Sequence, residues 1–213
     1  MNEFQFRTKL DQTILLGVKA RDASALLDGI RTVPNSSIYY HTHHFLQQHH
    51  YLSPEPPNDF AYWITEVLND DVLGEKLSSI DIVQFHSISE LRNRLEEILA
   101  SHLKGIEDLS TCPRGEEFHF MASRTFALQT AYVAHDLSEF STILQRISIN
   151  SIYFHIFDAT LRLEQNENDF SLWFKSLGKP ELAEEVLRLD PYTHTLEGLR
   201  KTILGMVKKY GTN

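Results

Sequence analysis

The chain has a single cysteine, Cys112, so it cannot form an internal disulfide, and the neighbours Thr111 and Pro113 place that thiol in a loop. After Met1-Asn2-Glu3-Phe4-Gln5-Phe6-Arg7 there is no basic stretch followed by an apolar one, and no apolar run approaches the roughly 20 residues of a membrane span. The expectation from these absences is a cytoplasmic protein without a membrane partner. An excess of positive charge is also missing. Twenty Lys and Arg against 29 Asp and Glu give a formal charge of −9 and a pI near 5.6. That balance offers no broad attraction to a phosphate backbone, so no nucleic-acid partner is expected. Lys201, Lys208 and Lys209 read as cations decorating the end of a helix. Nor is there a Gly-x-Ser-x-Gly elbow, a phosphate loop, a dinucleotide fingerprint or a His-Glu-x-x-His sequence.

What is present is ordinary in bulk: 42% hydrophobic and 23% charged residues, enough for a substantial core. The order of the residues is less ordinary. Ser37-Ile38-Tyr39-Tyr40-His41 returns as Ser151-Ile152-Tyr153-Phe154-His155, and Asn58-Asp59-Phe60-Ala61-Tyr62-Trp63 returns as Asn168-Asp169-Phe170-Ser171-Leu172-Trp173. A constant offset pairs Phe4 and Phe6 with Phe118 and Phe120, Ala20 with Ala134, Asp22 with Asp136 and His41 with His155. Short deletions in the second copy then bring Arg92 opposite Arg200. The expected organisation is a tandem duplication: repeat unit 1 over 1–104, a linker over 105–117 and repeat unit 2 over 118–213, packed as one body with approximate twofold symmetry. Two copies are too few for an open solenoid.

Each repeat reads as α+β and predominantly helical, a short strand pair followed by about five helices. Phe4-Gln5-Phe6 alternates, and Thr13 to Ala20 is compatible with a second strand bounded by Gly17. Asp22 and Asp136 precede amphipathic helices, the latter with Glu139 at capping-box spacing. Further helices are expected from about Ser37 to His50, from Asn58 to Leu68 with Asn58 as cap, after a cap at Asn69, and from Ser87. Pro180 stands at the matching entry of the second copy.

The doubled Ser-Ile-Tyr-Tyr/Phe-His and Asn-Asp-Phe-x-x-Trp motifs, with the long string from His44 to Phe60, resemble a family of uncharacterised bacterial and archaeal proteins classed only as a domain of unknown function. The resemblance spans nearly the whole chain and implies a prokaryotic cytoplasmic setting. It carries no activity and no catalytic residue.

Chemistry concentrates in Tyr40-His41-Thr42-His43-His44-Phe45-Leu46-Gln47-Gln48-His49-His50, which holds five of the 11 histidines. The repeat sorts them. His41 has a counterpart in His155, whereas His43, His44, His49 and His50 face Phe157, Asp158, Leu163 and Glu164 in the alignment. Residues kept by both copies, namely Tyr39, His41, Asp59, Trp63, Arg92 and Tyr153, His155, Asp169, Trp173, Arg200, are expected to be structural. A buried imidazole ties elements together through a carboxylate such as Asp59. Arg92 and Arg200 are expected to pair with Asp81 and Asp190. The copy-specific His43, His44, His49 and His50, with Asp158 and Glu164, are the candidate ligands of a divalent transition metal. Two functional readings follow. One is a non-catalytic interaction or regulatory module with a protein or small-molecule partner. The other is a metal-binding protein or metal-dependent enzyme built on the histidine cluster.

Overall fold

The structure is a computed structural model that describes residues 3–48, 58–106, 108–163, 167–189 and 195–211. It is α+β and mostly helical. Strands β1 (Phe4–Ala20) and β2 (Phe118–Ala134) pair in a two-stranded antiparallel sheet. The expected short strand pair at the start of each repeat is therefore one strand, and its partner lies in the other half of the sequence. Gly17, read as a boundary, adopts a left-handed φ of 74° inside β1, in open space where no neighbouring atom constrains it.

Five helices follow β1: α1 (Ala23–Thr32), α2 (Asn35–Gln48), α3 (Asp59–Glu66), α4 (Asp71–Ser78) and α5 (Ile88–Leu103). After β2 come α6 (Leu137–Leu144) and α7 (Ile149–Tyr153), which continues through a π-helical segment (Phe154–Asp158) into α8 (Ala159–Leu163). The last three are α9 (Asp169–Ser176), α10 (Pro180–Leu187) and α11 (Leu196–Gly211). None of the described helices is long and apolar enough to cross a membrane.

Caps explain where most of these helices begin. The carboxylates of Asp22 and Asp136 accept from Ala25 N and Glu139 N, both at 2.8 Å, and Ser87 Oγ accepts from Glu90 N at 3.2 Å. Glu139 reaches back to His135 N, one residue before the capping residue. Asn58 and Asn168 cap α3 and α9 in the same way, each accepting at 2.8 Å from the amide three residues on. The cap of α4 is Asp70, accepting from Leu73 N at 3.0 Å, and not Asn69. Asn69 takes a positive φ of 56°, so it makes the turn and hands the capping position to its neighbour.

By packing, the chain divides into two compact units whose boundaries cut through both strands. Among the described residues, 3–10 and 125–211 form what we call the C-terminal unit, and 11–48 and 58–124 form the N-terminal unit. The first part of β1 thus packs with helices more than a hundred residues later in the sequence.

In the C-terminal unit Phe4 and Phe6 point from β1 into an aromatic cluster. Phe4 lies 4.9 Å from His155, 5.4 Å from Phe170 and 5.4 Å from Trp173, and Phe6 lies 5.3 Å from Phe140. Gln5, on the other face, donates to Thr130 O and Tyr132 O. The period of two in Phe-Gln-Phe is thus the register of a strand with one covered face. In the N-terminal unit Phe118 and Phe120 do the same against His41 (4.7 and 6.0 Å) and Phe60 (5.3 and 6.4 Å). Here Gly29 of α1 lets the Phe120 ring approach so closely that a Cβ would stand 2.3 Å from it. Each fully buried aromatic stabilises its unit by about 1.5–3 kcal/mol.

Candidate functional site

The recurring motifs meet at the outer edge of each strand. Ser37 and His41 are four residues apart in α2, so their side chains share a face. Asp59 is the first residue of α3, set there by the Asn58 cap. His41 Nδ1 lies 2.8 Å from Asp59 Oδ2, and the amide of Met121 in β2 donates to His41 Nε2 at 2.9 Å. Since Nε2 accepts, the ring is neutral and Nδ1 carries the proton, which it gives to Asp59. The carboxylate selects the tautomer, and the tautomer leaves Nε2 free to take the strand's amide.

The C-terminal unit repeats this geometry. His155 Nδ1 is 2.7 Å from Asp169 Oδ2, and Arg7 N donates to His155 Nε2 at 2.8 Å. Ser151 adds a second contact by donating to Arg7 O at 2.5 Å. One residue of β1 thus has both main-chain groups taken by a serine and a histidine of one motif. The equivalent hydroxyl, Ser37 Oγ, is buried and has no hydrogen-bond partner. The rings are almost inaccessible, with His41 and His155 side chains 3% and 2% exposed, whereas Asp59 is 42% and Asp169 18% exposed.

A histidine beside an aspartate is also the arrangement of a general base. In both pairs, however, the nitrogen a base would use is occupied by a backbone N–H and faces the core. What the arrangement accomplishes is the termination of a sheet. An open strand edge presents unpaired main-chain groups, and these side chains satisfy them.

The remaining shared residues extend the same scaffold. Arg92 Nη2 donates to Val33 O at 2.7 Å and to Asn35 Oδ1 at 2.8 Å, and Nη1 donates to Ile30 O. Arg200 Nη1 donates to Leu144 O and to Ile147 O at 2.8 Å, with Nε on Glu197 at 2.8 Å. Both guanidiniums therefore close the C-terminal carbonyls of a helix, α1 or α6, in place of the expected pairing of Arg92 with Asp81. Asp190, the expected partner of Arg200, lies outside the described residues. Partial burial pulls the Arg92 guanidinium below its ordinary pKa, and Glu96 opposes the shift. Trp63 Nε1 donates to Glu116 O at 2.8 Å and Cys112 N to Arg21 O at 2.8 Å, so this part of the expected linker is fastened to the N-terminal unit. Tyr153 is buried, as is the ring of Trp173.

Of the candidate metal ligands, His49, His50 and Glu164, and the side chain of His44, lie outside the described residues. His43 belongs to the N-terminal unit, where it is buried, stacked on Tyr39 at 5.2 Å, with Nδ1 2.8 Å from Thr42 Oγ1. Asp158 belongs to the C-terminal unit, where it takes Lys9 Nζ at 2.6 Å. Among the described residues no group of three or more His, Cys, Asp or Glu could hold a metal ion.

The Lys9–Asp158 pair carries no signal in the sequence. The Lys9 side chain is 1% exposed, and its ammonium lies 4.8 Å from the centre of the Tyr153 ring. The aligned positions of the first repeat are Ser123, His44 and Tyr39, so this buried ion pair is specific to one unit. A lysine three residues after the Phe4-Gln5-Phe6 alternation reads as a solvated strand residue, and only the tertiary contact identifies it.

Residues 1–208 match the model of a family of unknown function, DUF5752. Among solved structures, that of OrfY from Thermoproteus tenax is 26% identical, with a TM-score of 0.84 over 100% of this chain and 97% of that one. No curated protein matches the chain.

Proposed function

We propose that this chain, which belongs to the family of unknown function DUF5752, is a non-catalytic interaction module built by internal duplication. Its paired motifs are architectural, and its open strand halves are the contact surface. The observation that carries the reading is the occupancy of both motif histidines: His41 Nε2 and His155 Nε2 each accept a backbone amide, from Met121 and Arg7. The most enzyme-like residues are thus committed to holding strands.

The strands themselves supply the surface. Their first halves are largely buried and fastened, while their second halves are exposed along most of their length and carry large apolar side chains. Leu15 in the N-terminal unit is 59% exposed, and Phe126 and Leu128 in the C-terminal unit are 43% and 48% exposed. Large apolar groups left in water on a strand mark a contact site. With a net charge of −9 the partner is a protein and not a nucleic acid.

The test has two arms on tag-free protein purified without chelator. Elemental analysis reports metal per chain, and binding assays compare the wild type with variants carrying a lysine on an open strand half. The expected result is no stoichiometric metal and a protein complex, with another chain or with itself, that the added charge abolishes while the circular dichroism spectrum stays unchanged. Near-stoichiometric zinc, iron, nickel or copper, lost in His43→Ala with the fold retained, would overturn the reading.

A further inference from the structure

The C-terminal unit holds the first half of β1 as a receptor holds an extended peptide, and we infer that it accepts the same segment from a second copy of this chain. The inference goes beyond the interaction reading above, because it makes no use of the open strand halves. Residues 3–10 pack with residues 125–211, whereas β1 runs on without a break into residues 11–20 of the N-terminal unit. The segment is therefore an extended arm. What ties it to the N-terminal unit is the Leu10–Asp11 peptide bond, and Leu10 is 60% exposed.

The unit reads this arm along its whole length. Phe4 and Phe6 are buried with their rings 5.4 Å from Phe170 and 5.3 Å from Phe140. Arg7 gives its N–H to His155 and its C=O receives Ser151, while on the opposite edge Thr130 Oγ1 donates to Phe6 O at 2.8 Å. Lys9, its side chain 1% exposed, meets the Asp158 carboxylate at 2.6 Å. Main-chain bonds supply affinity and alternate side-chain sites supply specificity, which is recognition by strand addition. The ligand class is an extended Phe-x-Phe-x-x-Lys segment. Charge selects its source within the chain: the aligned segment of β2 starts with Phe118 and Phe120 but ends in Ser123, which offers Asp158 no cation. A second copy carries the matching arm, and its transfer keeps every contact just named.

With equal contacts on both sides, the monomer is favoured by the nearness of its own arm, an effective concentration of roughly 1 mM. Two full-length variants shift that balance. Lys9→Met keeps the receptor and spoils the arm, and Asp158→Leu keeps the arm and spoils the receptor. Each alone sets a buried charge against an apolar side chain. In a mixture, an exchanged pair sets Lys9 of one chain on Asp158 of the other and the two apolar substitutes on each other, so both sites are matched. The experiment is sedimentation velocity on the equimolar mixture from about 1 to 100 µM, with circular dichroism on each chain. The expected result is a one-to-one dimer that associates at least about a hundredfold more tightly than either variant does with itself. Wild type and the double variant Lys9→Met with Asp158→Leu, both matched within one chain, stay monomeric at about 100 µM. Where a single variant does not fold alone, refolding the two together is expected to give the same soluble dimer. A mixture that stays monomeric, or a joint refolding without soluble dimer, overturns the inference. So does a double variant that dimerises as strongly as the mixture, because the interface then lies elsewhere. That last outcome leaves the interaction reading in place, and the lysine variants of the open strand halves test that reading separately.

Discussion

The two compact units solve the same problem with unequal completeness. Each takes two phenylalanines from the start of a strand and fixes the strand with a histidine whose tautomer an aspartate selects. In the C-terminal unit the fixation is full: Arg7 gives its N–H to His155 and its C=O receives Ser151. A buried Lys9–Asp158 pair adds a third tie. In the N-terminal unit Met121 gives its N–H to His41, Ser37 Oγ has no partner, and Ser123 occupies the place of Lys9. The difference teaches that the Ser-Ile-Tyr-x-His motif is an edge clamp with a main element, the histidine, and an optional one, the serine. Sequence identity between two copies of a motif does not guarantee that every member of it is used.

The largest test of this asymmetry is the ion pair. Lys9→Met leaves the Asp158 carboxylate, 12% exposed, without its cation. Breaking a buried pair from one side costs about 3–5 kcal/mol, whereas replacing both partners by apolar groups of similar size is close to neutral. Chemical denaturation should therefore show a large loss for Lys9→Met and recovery of most of it in Lys9→Met with Asp158→Leu. Ser123→Ala, at the matching place of the other unit, should cost about 1 kcal/mol at most. Equal losses for Lys9→Met and the double variant would mean that Lys9 acts through its contact with Tyr153 and not through charge.

The histidines come next. His155→Ala removes a ring stacked on Phe170 at 5.4 Å, leaves the Arg7 amide without that acceptor and takes one hydrogen bond from Asp169, which is 18% exposed. The expected cost is about 2–4 kcal/mol. His41→Ala does the same to Met121 and Asp59, but Asp59 is 42% exposed and water can replace the lost donor. Its cost should be lower by about 1 kcal/mol. Amide hydrogen exchange locates the effect: the substitutions should speed exchange over Phe4–Lys9 and Phe118–Ser123 respectively. Exchange that rises equally in both segments for either variant would contradict the independence of the two clamps.

The serines give a smaller but sharper contrast. Ser151→Ala breaks a hydrogen bond to Arg7 O and should cost about 1–2 kcal/mol. Ser37→Ala removes a buried hydroxyl that bonds to nothing, so it should be neutral or stabilise by up to about 1 kcal/mol. A loss for Ser37→Ala as large as that for Ser151→Ala would show that Ser37 holds Met121 O in solution.

These contrasts also show what a single sequence can and cannot yield. Local signals were readable because their physics is local. Asp22, Asn58, Ser87 and Asp136 cap helices at the spacing that a first turn requires, and Phe4-Gln5-Phe6 has the period of a strand with one covered face. The pairing of His41 with Asp59 was also legible, since a buried imidazole needs a partner and the repeat supplied one. Long-range choices were not. Nothing near Phe4 states that its strand pairs with β2 and packs on α6 to α9, because alternation fixes which side chains face the core and not which core they face. Arg92 closes a helix end where Asp81 is the expected partner, for a similar reason: a guanidinium is satisfied equally by a carboxylate or by the end of a helix. Asn69 lost the cap to Asp70 through its backbone, a choice that composition does not reveal.

The smallest predicted effect tests whether any of the paired histidines outside the clamps matters to stability. His135, half exposed, hydrogen-bonds Glu139 at 2.9 Å just before α6, and that bond raises the His135 pKa, with the charge of Glu139 adding to it. The same bond holds the Glu139 carboxyl below its ordinary range. A histidine whose folded pKa is raised contributes stability that is complete below its unfolded value, near 6.5, and lost as pH climbs through the folded one. A depressed glutamate contributes above its unfolded value, near 4.3, and loses that as pH falls through its folded one. The pair therefore counts most between about pH 4.5 and 6.5. His135→Ala should lower the denaturation midpoint slightly at pH 5.5 and not at pH 8.5, with the difference shrinking in high salt because both groups face water. A midpoint change of the same size at both pH values would place the role of His135 in packing. The first repeat carries Arg21 at the aligned position, cationic at any pH used here, so the corresponding variant in that copy should show no such pH dependence.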